Sequence, residues 1–480
     1  MNQLSSNSSK SNLQQKIFFF FFCLLIVVNP FPLGSNRTWA WSLEAIVASV
    51  LLIVMVACSL ISNQCISWHR IKKMKVELIL IGIWLFVNFL YLIPLPISLV
   101  SLISPQVANA YSELGLSYGF LSLDVYASYQ TLMLSVYYVT LFILGVVLIN
   151  SRFRIKAVLI LFVLLGIFES VYGMYLVSVG QTGTIVQLMT VDVVNASGTF
   201  INKNHLVAFL SMCFILGLAL RMILARKIPN MTHLDFKIRL IRFISHPIRI
   251  LDFSLFLMVA GIWNTHSRAG LASFLLALLF LSLFVFFSKK SKSVNYKKIL
   301  SVFALGIVLL IIVAEDVNHL MNSLGQNTED SLGHVISSAE GRLLAVNQVI
   351  DNYSTYWLTG VGPGAYPVFF VNHRMIEQTA FFDHAHNDYI EFLIEYGMFS
   401  IILLMMLAIY LYKIFMFIFK TSSKFYKYLG ICVISSMIYM LLHGNMDFNA
   451  RIPANIVTII VAISMIYGRI VMSSINKTKK

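Results

Sequence analysis

Apolar segments of about 20 residues recur from one end of the chain to the other, and this repetition limits the possible folds more than any other feature. A helix of that length crosses the roughly 30 Å hydrocarbon core of a bilayer. Of the 480 residues, 59% are hydrophobic and only 11% are charged, whereas soluble domains carry about 25% charged residues. The sequence therefore excludes a soluble fold and predicts one all-α, polytopic membrane domain over residues 1–480.

Twelve apolar runs are long enough to be predicted as transmembrane helices. They lie at residues 16–33, 40–62, 77–98, 129–150, 157–179, 204–225, 250–266, 270–288, 299–314, 388–412, 427–444 and 453–471. The first run leads into Asn29-Pro30 without a small-residue cleavage site, so we expect a retained helix rather than a signal peptide. The five cysteines have no C-x-x-C spacing and indicate neither a disulfide framework nor a zinc site.

The positions of the cations predict the orientation, because Lys and Arg in short loops stay in the cytoplasm. With both termini inside, all but six of the 35 Lys and Arg residues fall on cytoplasmic segments. The six on the outer side are Arg37, Lys203, Arg268, Arg342, Arg374 and Arg451. Most of the 20 acidic residues also fall on the outer side or within the membrane. The formal charge of +15 thus indicates contacts with anionic membrane lipids, not nucleic acid.

The outer loop between the ninth and tenth runs, residues 315–387, is much longer than the others, and loops of this length usually carry function. Residues 339–350 have apolar side chains at helical spacing and predict a helix along the membrane surface. Residues 360–366 are rich in Gly and Pro and predict a turn.

The densest polar cluster lies where this loop enters the tenth run. It contains Asp383, His384, His386, Asn387 and Asp388. Histidine can accept and return a proton near neutral pH, which suits a general base. Two other interpretations remain open: helix capping at the headgroups, and metal binding by the two histidines with Asp383 or Asp388 in an extended segment.

Three further outer turns carry cations beside polar residues. Arg268 lies in residues 264–270, Lys203 in residues 197–205 and Arg451 in residues 443–455. Arginine presents a planar fork that matches phosphate oxygens, so a pocket that collects these cations beside a base suits a lipid-linked diphosphate. For any single cation, a salt bridge to Asp447, Asp388 or Glu395 is an equal alternative.

Three acidic residues fall inside predicted spans, where ionisable groups face a partner or an aqueous cavity. For Glu169, Glu391 and Glu395 we expect mainly structural pairing with an outer cation. No Asp-x-Asp or Glu-x-Asp pair lies in an outer loop, so we predict that Arg and Lys, rather than a metal, neutralise the diphosphate.

Several blocks in this order resemble the O-antigen ligase and polymerase family. His386-Asn387, nine residues and then Gly397 resemble its signature, although Ser400 stands where the family has Gly, Thr or Tyr. Further similar blocks are 267–270, 340–342, 360–366, 447–449 and 452–455. The resemblance covers residues 195–460.

The resemblance implies a glycosyltransferase-C-like fold and metal-independent, inverting transfer of a glycan from undecaprenyl diphosphate, without a cofactor, at the periplasmic face of the bacterial inner membrane. It implies that His386 is the base and that Arg268 holds the donor diphosphate. Lys203 replaces an Arg that is common in relatives. We also expect donor or acceptor contacts from Arg342, Arg451, Asn387, His384 and Asp388.

The acceptor stays open within this resemblance. We favour lipid A-core, which would make the enzyme a ligase. The alternatives are a growing glycan, as in an O-antigen or exopolysaccharide polymerase, and a protein hydroxyl, as in an O-oligosaccharyltransferase. A polysaccharide flippase or transporter is a non-enzymatic alternative, but it requires polar groups on both sides of the midplane, whereas the candidate groups gather at the outer boundary.

Overall fold

The computed structural model describes residues 2–62, 68–183, 188–190, 195–224, 246–287, 338–373 and 381–475. The predicted span at 299–314, the start of the long loop and Arg374 lie outside the described residues. Arg342 lies in a described helix, but its side chain is not described.

The described chain is almost entirely helical. Its helices are α1 (Asn2–Val28), α2 (Thr38–Ser62), α3 (Trp68–Lys72), α4 (Lys75–Leu90), α5 (Ile97–Ile103), α6 (Pro105–Glu113), α7 (Val125–Leu148), α8 (Arg152–Ser178), α9 (Lys203–Ile223), α10 (Pro247–Asn264), α11 (Arg268–Phe287), α12 (Ser338–Tyr356), α13 (Tyr366–His373), α14 (Asp388–Tyr396), α15 (Ser400–Lys420), α16 (Lys424–His443) and α17 (Pro453–Ile475). Two short antiparallel ribbons pair β1 (Leu95–Pro96) with β2 (Tyr118–Gly119), and β3 (Gln181–Gly183) with β4 (Leu188–Thr190).

The prediction of an all-α protein with many apolar helices is confirmed. Within the described ranges, nine helical segments are long and apolar enough to cross a membrane. Eleven of the twelve predicted runs coincide with described helices, of which α1 and α4 have apolar stretches too short for that criterion.

Two runs predicted as single helices are wrong in detail. The third run was expected to reach residue 98, but α4 ends at Leu90, since Pro94 and Pro96 lack the N–H that a continuing helix needs. The tenth run was expected to be continuous, but it is divided into α14 and α15 at Gly397, which has φ +52°.

Helix α9 lies at the centre of the bundle. It packs against α8, α10 and α16. In its most apolar stretch, 72% of the residues are buried, more than in any other described span. Small residues allow these helices to approach closely, because a Cβ on Gly166 or Gly217 would collide with Met258 or Leu255 of α10. Helix α9 is consequently packed closely against α8 and α10.

A second apolar core lies beside the membrane bundle. It joins side chains of α4 to α6 with the described part of the long loop, including Tyr91, Val107, Tyr356, Tyr366 and Phe369. Helix α12 contains the predicted helix at 339–350, and no helix forms between Tyr356 and Tyr366, as the glycines and proline of that segment predict. This core supports α14, whose N-terminus carries the histidine cluster.

Candidate active site

The loop at residues 381–387 brings His384 and His386 to the start of α14. Asn387 caps this helix, because its side-chain oxygen accepts hydrogen bonds from the backbone N–H groups of Tyr389 and Ile390 at 3.0 and 3.2 Å. His386 itself has φ +51°, a left-handed conformation that is uncommon for residues other than glycine and that is enriched at functional sites. The capping and the turn together fix the direction of both histidines.

His386 is paired with a buried carboxylate from the turn between α16 and α17. Its Nδ1 lies 3.2 Å from Oδ1 of Asp447, whose side chain is fully buried, while the His386 side chain is 17% exposed. A carboxylate beside Nδ1 favours the tautomer with the proton on that atom, which leaves Nε2 with a free lone pair. This arrangement is the one required of a general base.

Asp447 also connects His386 to the cationic turns. Asn204 donates from Nδ2 to Oδ2 of Asp447 at 2.5 Å, and its own Oδ1 accepts from the Ser267 hydroxyl at 2.7 Å. Ser267 immediately precedes Arg268, the first residue of α11. Three hydrogen bonds thus link the candidate base to the residue beside the candidate phosphate-binding arginine.

The two cations at this end of the network differ in their surroundings. Lys203 begins α9, and its Nζ lies 3.5 Å from the backbone oxygen of His266. Arg268 is exposed, and no carboxylate among the described residues forms an ion pair with it. Its guanidinium is therefore available for an anionic ligand.

Arg451, by contrast, already lies between two buried carboxylates. Its Nε is 3.0 Å from Oε1 of Glu391, and its Nη2 is 2.5 Å from Oε2 of Glu395. Its guanidinium also stacks over Phe392 at 4.2 Å. Burial disfavours the charge, but Glu395 and Glu391 more than compensate and raise the pKa of Arg451 above its ordinary value. The expected pairing of Glu391 and Glu395 with an outer cation is thus present.

His384 joins the same charge network from the other side. Its Nδ1 lies 2.8 Å from Oε1 of Glu391, and Oε2 of that carboxylate accepts from the N–H of Ala385 at 2.9 Å. Burial lowers the pKa of His384, but the Glu391 charge and hydrogen bond outweigh it, so the net effect is a raised pKa. The two histidines therefore have different partners and different electrostatic surroundings.

Phe448 forms the surface on which the histidines pack. His384 stacks on its ring at 4.1 Å and 24°, while His386 meets it edge-on at 5.1 Å. His205 of α9 also meets this ring edge-on, at 4.7 Å. The Phe448 ring therefore contacts histidines from two distant parts of the sequence.

Two other candidate residues have structural contacts. Asp388 is buried, and its carboxylate accepts the backbone N–H of Ala450 at 3.0 and 3.1 Å. Asn387 donates from Nδ2 to the backbone oxygen of Asn445 at 3.1 Å. Both residues therefore join the start of α14 to the turn that carries Asp447.

The glycine of the signature has a clear physical role. A Cβ on Gly397 would lie 2.6 Å from the backbone oxygen of Trp357 and 2.7 Å from the backbone nitrogen of Gly360. The backbones of the long loop and of the C-terminus of α14 are in direct contact here, where Val361 donates to the Ile394 oxygen at 2.8 Å. Gly397 therefore fixes α14 against the loop.

Glu169 has a different partner from the expected outer cation. Its carboxylate accepts the N–H and the hydroxyl of Thr199 at 2.9 and 2.7 Å. These neutral donors satisfy the buried group and hold the 197–199 turn just before α9. Among the described residues no cation forms an ion pair with Glu169, so the expected cationic partner is not found there.

The structure brings together two adjoining segments, the start of α14 and the turn before α17, and it places the starts of α9 and α11 next to them. These segments carry His384, His386, Asn387, Asp388 and Arg451, and then Lys203 and Arg268. Sequence reasoning missed Asn204 and Ser267, and it considered Asp447 only as an ion-pair partner of a cation. The available signal for Asp447 was its place in the 447–449 block.

Comparison with known proteins adds independent information. A family model described as O-antigen ligase matches residues 253–405, about a third of the chain, and this range contains Arg268, His386, Asn387 and Gly397. Lys203, Asp447 and Arg451 lie outside the matched range. No curated protein matches the chain. The resemblance seen in the sequence is thus confirmed over residues 253–405, which are similar to the O-antigen ligase family.

Proposed function

We propose that this protein transfers a glycan from undecaprenyl diphosphate to an acceptor hydroxyl at the periplasmic face of the bacterial inner membrane. The family match supports glycan transfer in O-antigen biosynthesis as the general activity. The observation that carries the proposal is the pairing of His386 with buried Asp447, on the hydrogen-bonded path that leads to Arg268.

In the proposed reaction, Nε2 of His386 accepts the proton of the acceptor hydroxyl. The hydroxyl oxygen forms a bond with the anomeric carbon as the bond from that carbon to the diphosphate oxygen breaks on the opposite face. The departing electron pair stays on the diphosphate, and the configuration of the sugar inverts. General-base assistance of this kind contributes roughly 10²- to 10⁴-fold in rate.

Arg268 and Lys203 bind the donor diphosphate in this proposal. Arg268 is the stronger candidate, because it is exposed and has no described ion-pair partner, and its planar fork matches two phosphate oxygens. Arg451 contributes by positioning, since Glu391 and Glu395 already match its charge. Asn387 and Asp388 hold the histidine loop, and Arg342 stays a candidate for the donor or acceptor glycan.

The proposed acceptor is lipid A-core, which makes the reaction the ligation step of lipopolysaccharide assembly. No cofactor or metal is required in the proposed step, because the phosphate ester of the donor supplies the leaving group. The N and C termini are proposed to be cytoplasmic, as the distribution of Lys and Arg predicts.

The test uses purified protein in proteoliposomes with undecaprenyl-diphosphate-linked glycan and lipid A-core. We expect His386→Ala to lower turnover by about 10²- to 10⁴-fold. The control is His373→Ala, because His373 lies in α13 and contacts Phe369 and Tyr356 rather than the site. A His386→Ala protein that folds normally and keeps wild-type turnover contradicts the proposal.

A gene deletion tests the acceptor. If the protein is a ligase, deletion leaves long lipid-linked polymer that is not joined to lipid A-core. If deletion only shortens the polymer that reaches lipid A, the enzyme is a polymerase and the proposed acceptor is wrong.

A further inference from the structure

The two histidines of the loop are close neighbours, but the residues around them assign them different chemistry. His386 faces Asp447, which also accepts hydrogen bonds from Asn204 and from the backbone N–H of Phe448. His384 faces Glu391, which is also paired with Arg451. The charge balance around each histidine therefore has to be considered separately.

With Glu391 and Glu395 both ionised, the network around His384 is neutral when that histidine is protonated. It contains two carboxylates, Glu391 and Glu395, and one permanent cation, Arg451. A protonated His384 supplies the second positive charge. Buried charges are stable only when they are matched, so the ionised network favours the imidazolium form.

The geometry also limits where the imidazolium can act. Nδ1 is held by Glu391, and the ring lies flat on Phe448, which is shared with His386. Among the described residues, no group is hydrogen-bonded to Nε2 of His384, and the side chain is 24% exposed. The Nε2–H group is therefore not used by any described residue, and it belongs to a ring that packs beside His386 on Phe448.

We propose that His384 acts as a cation rather than as a second base, and that its Nε2–H group donates a charge-assisted hydrogen bond to a phosphate oxygen of the lipid-linked diphosphate. This inference rests on the proposed function and adds a pH-dependent element to donor binding. His384 keeps its proton throughout the transfer, so the proton balance of the reaction is unchanged.

The groups that face His384 determine the direction of the pH effect. They are Glu391 and Arg451 from α14 and the last outer turn, Asp383 from its own loop, and His386, His205 and Asp447 around Phe448. Because Glu391 raises the pKa of His384 despite burial, the cation persists to a higher pH than that of an ordinary histidine and is lost as the pH rises through the raised pKa. Donor binding should therefore weaken in alkaline solution.

The experiment measures retention of radiolabelled undecaprenyl diphosphate by the full chain in nanodiscs between pH 6 and pH 9. All proteins carry His386→Ala, so that binding is read without turnover. With His384 present, we expect binding to weaken by about 10- to 100-fold toward pH 9, the range for loss of a hydrogen bond to a charged group. The His384→Gln variant is the control for titration of the ligand itself. It should bind the ligand weakly at pH 6, and its binding should change less between pH 6 and pH 9 than that of the protein with His384.

A fixed-charge variant provides the decisive comparison. In His384→Arg the side chain stays charged and can still stack on Phe448. Between pH 6 and pH 9, ligand binding by this variant should therefore weaken no more than ligand binding by His384→Gln. His373→Gln is the matched control and should behave like the parent. The inference is overturned if His384→Gln shows the same decline as the parent, or if His384→Arg declines as the parent does. These outcomes are independent of whether His386→Ala abolishes transfer, which tests the proposed function.

Discussion

Replacing Asp447 by Asn tests the central geometric claim, that this carboxylate sets the tautomer of His386. Three donors converge on the carboxylate: Nδ2 of Asn204 at 2.5 Å, the Phe448 N–H at 2.9 Å and Nδ1 of His386 at 3.2 Å. An Asn side chain has one acceptor and one donor group. If the amide NH2 faces His386, Nδ1 must become an acceptor, and the proton moves to Nε2.

The expected loss follows from this change. With Nε2 protonated, His386 cannot accept the proton of the acceptor hydroxyl, so the whole general-base contribution of about 10²- to 10⁴-fold is lost. That factor corresponds to roughly 3–5 kcal/mol in the activation free energy. If the NH2 group faces Asn204 instead, two donors oppose each other, and the Asn204 amide must turn away from its bond with Ser267. Either orientation damages the network.

Initial rates in proteoliposomes measure the effect, with the donor KM determined separately. Because Arg268 and Lys203 are unchanged, we expect the loss to lie mainly in kcat. Asp351→Asn is the control, since Asp351 is an exposed acid on α12. If Asp447→Asn folds and keeps more than about a third of the wild-type rate, a general-base role that depends on Asp447 is refuted.

Two further predictions concern the donor site and the signature glycine. We expect Arg268→Ala to lower kcat/KM for the lipid-linked donor by about 10²- to 10³-fold. Arg268→Lys should have an intermediate effect, and Arg37→Ala, which removes another exposed cation, should have none. A loss confined to the acceptor KM argues against diphosphate binding. We expect Gly397→Ala to lower the free energy of unfolding by at least about 2 kcal/mol, because its Cβ would collide with backbone atoms of residues 357–360. Gly82→Ala in α4, where a Cβ meets nothing within 4 Å, is the matched control in thermal unfolding, and equal stability of the two variants contradicts this explanation.

Much of the fold could be predicted from the sequence because membrane helices follow from local composition. A run of apolar residues must satisfy its own backbone hydrogen bonds in lipid, so it forms a helix whatever its neighbours are. Helix ends were less predictable. Pro94 and Pro96 end α4 early, and Gly397 divides the tenth run because of a contact with residues 357–360 that are distant in sequence.

The candidate site was only partly predictable, and the pairing of its charges shows why. The sequence identified Arg268, Lys203 and Arg451 as equivalent outer cations beside possible carboxylate partners. Which cation meets a carboxylate depends on the packing of α14 against the turn after α16, and this packing involves residues more than 50 positions apart. The pairing of Asp447 with His386 was not predicted for the same reason, since 61 positions separate these residues in the sequence.

A buried cation and a cation that binds an anionic substrate have opposite requirements for a carboxylate partner. A buried arginine without a partner is too costly to keep, and Arg451 is accordingly matched by two carboxylates and stacked on Phe392. An arginine that must bind an anionic substrate cannot be matched in this way, because a carboxylate would compete with the phosphate. Arg268 meets this requirement by lying exposed at the start of α11. The proposed role of His384 combines both conditions, because Glu391 holds Nδ1 and stabilises the charge, while no described residue is hydrogen-bonded to Nε2, which would bind the substrate.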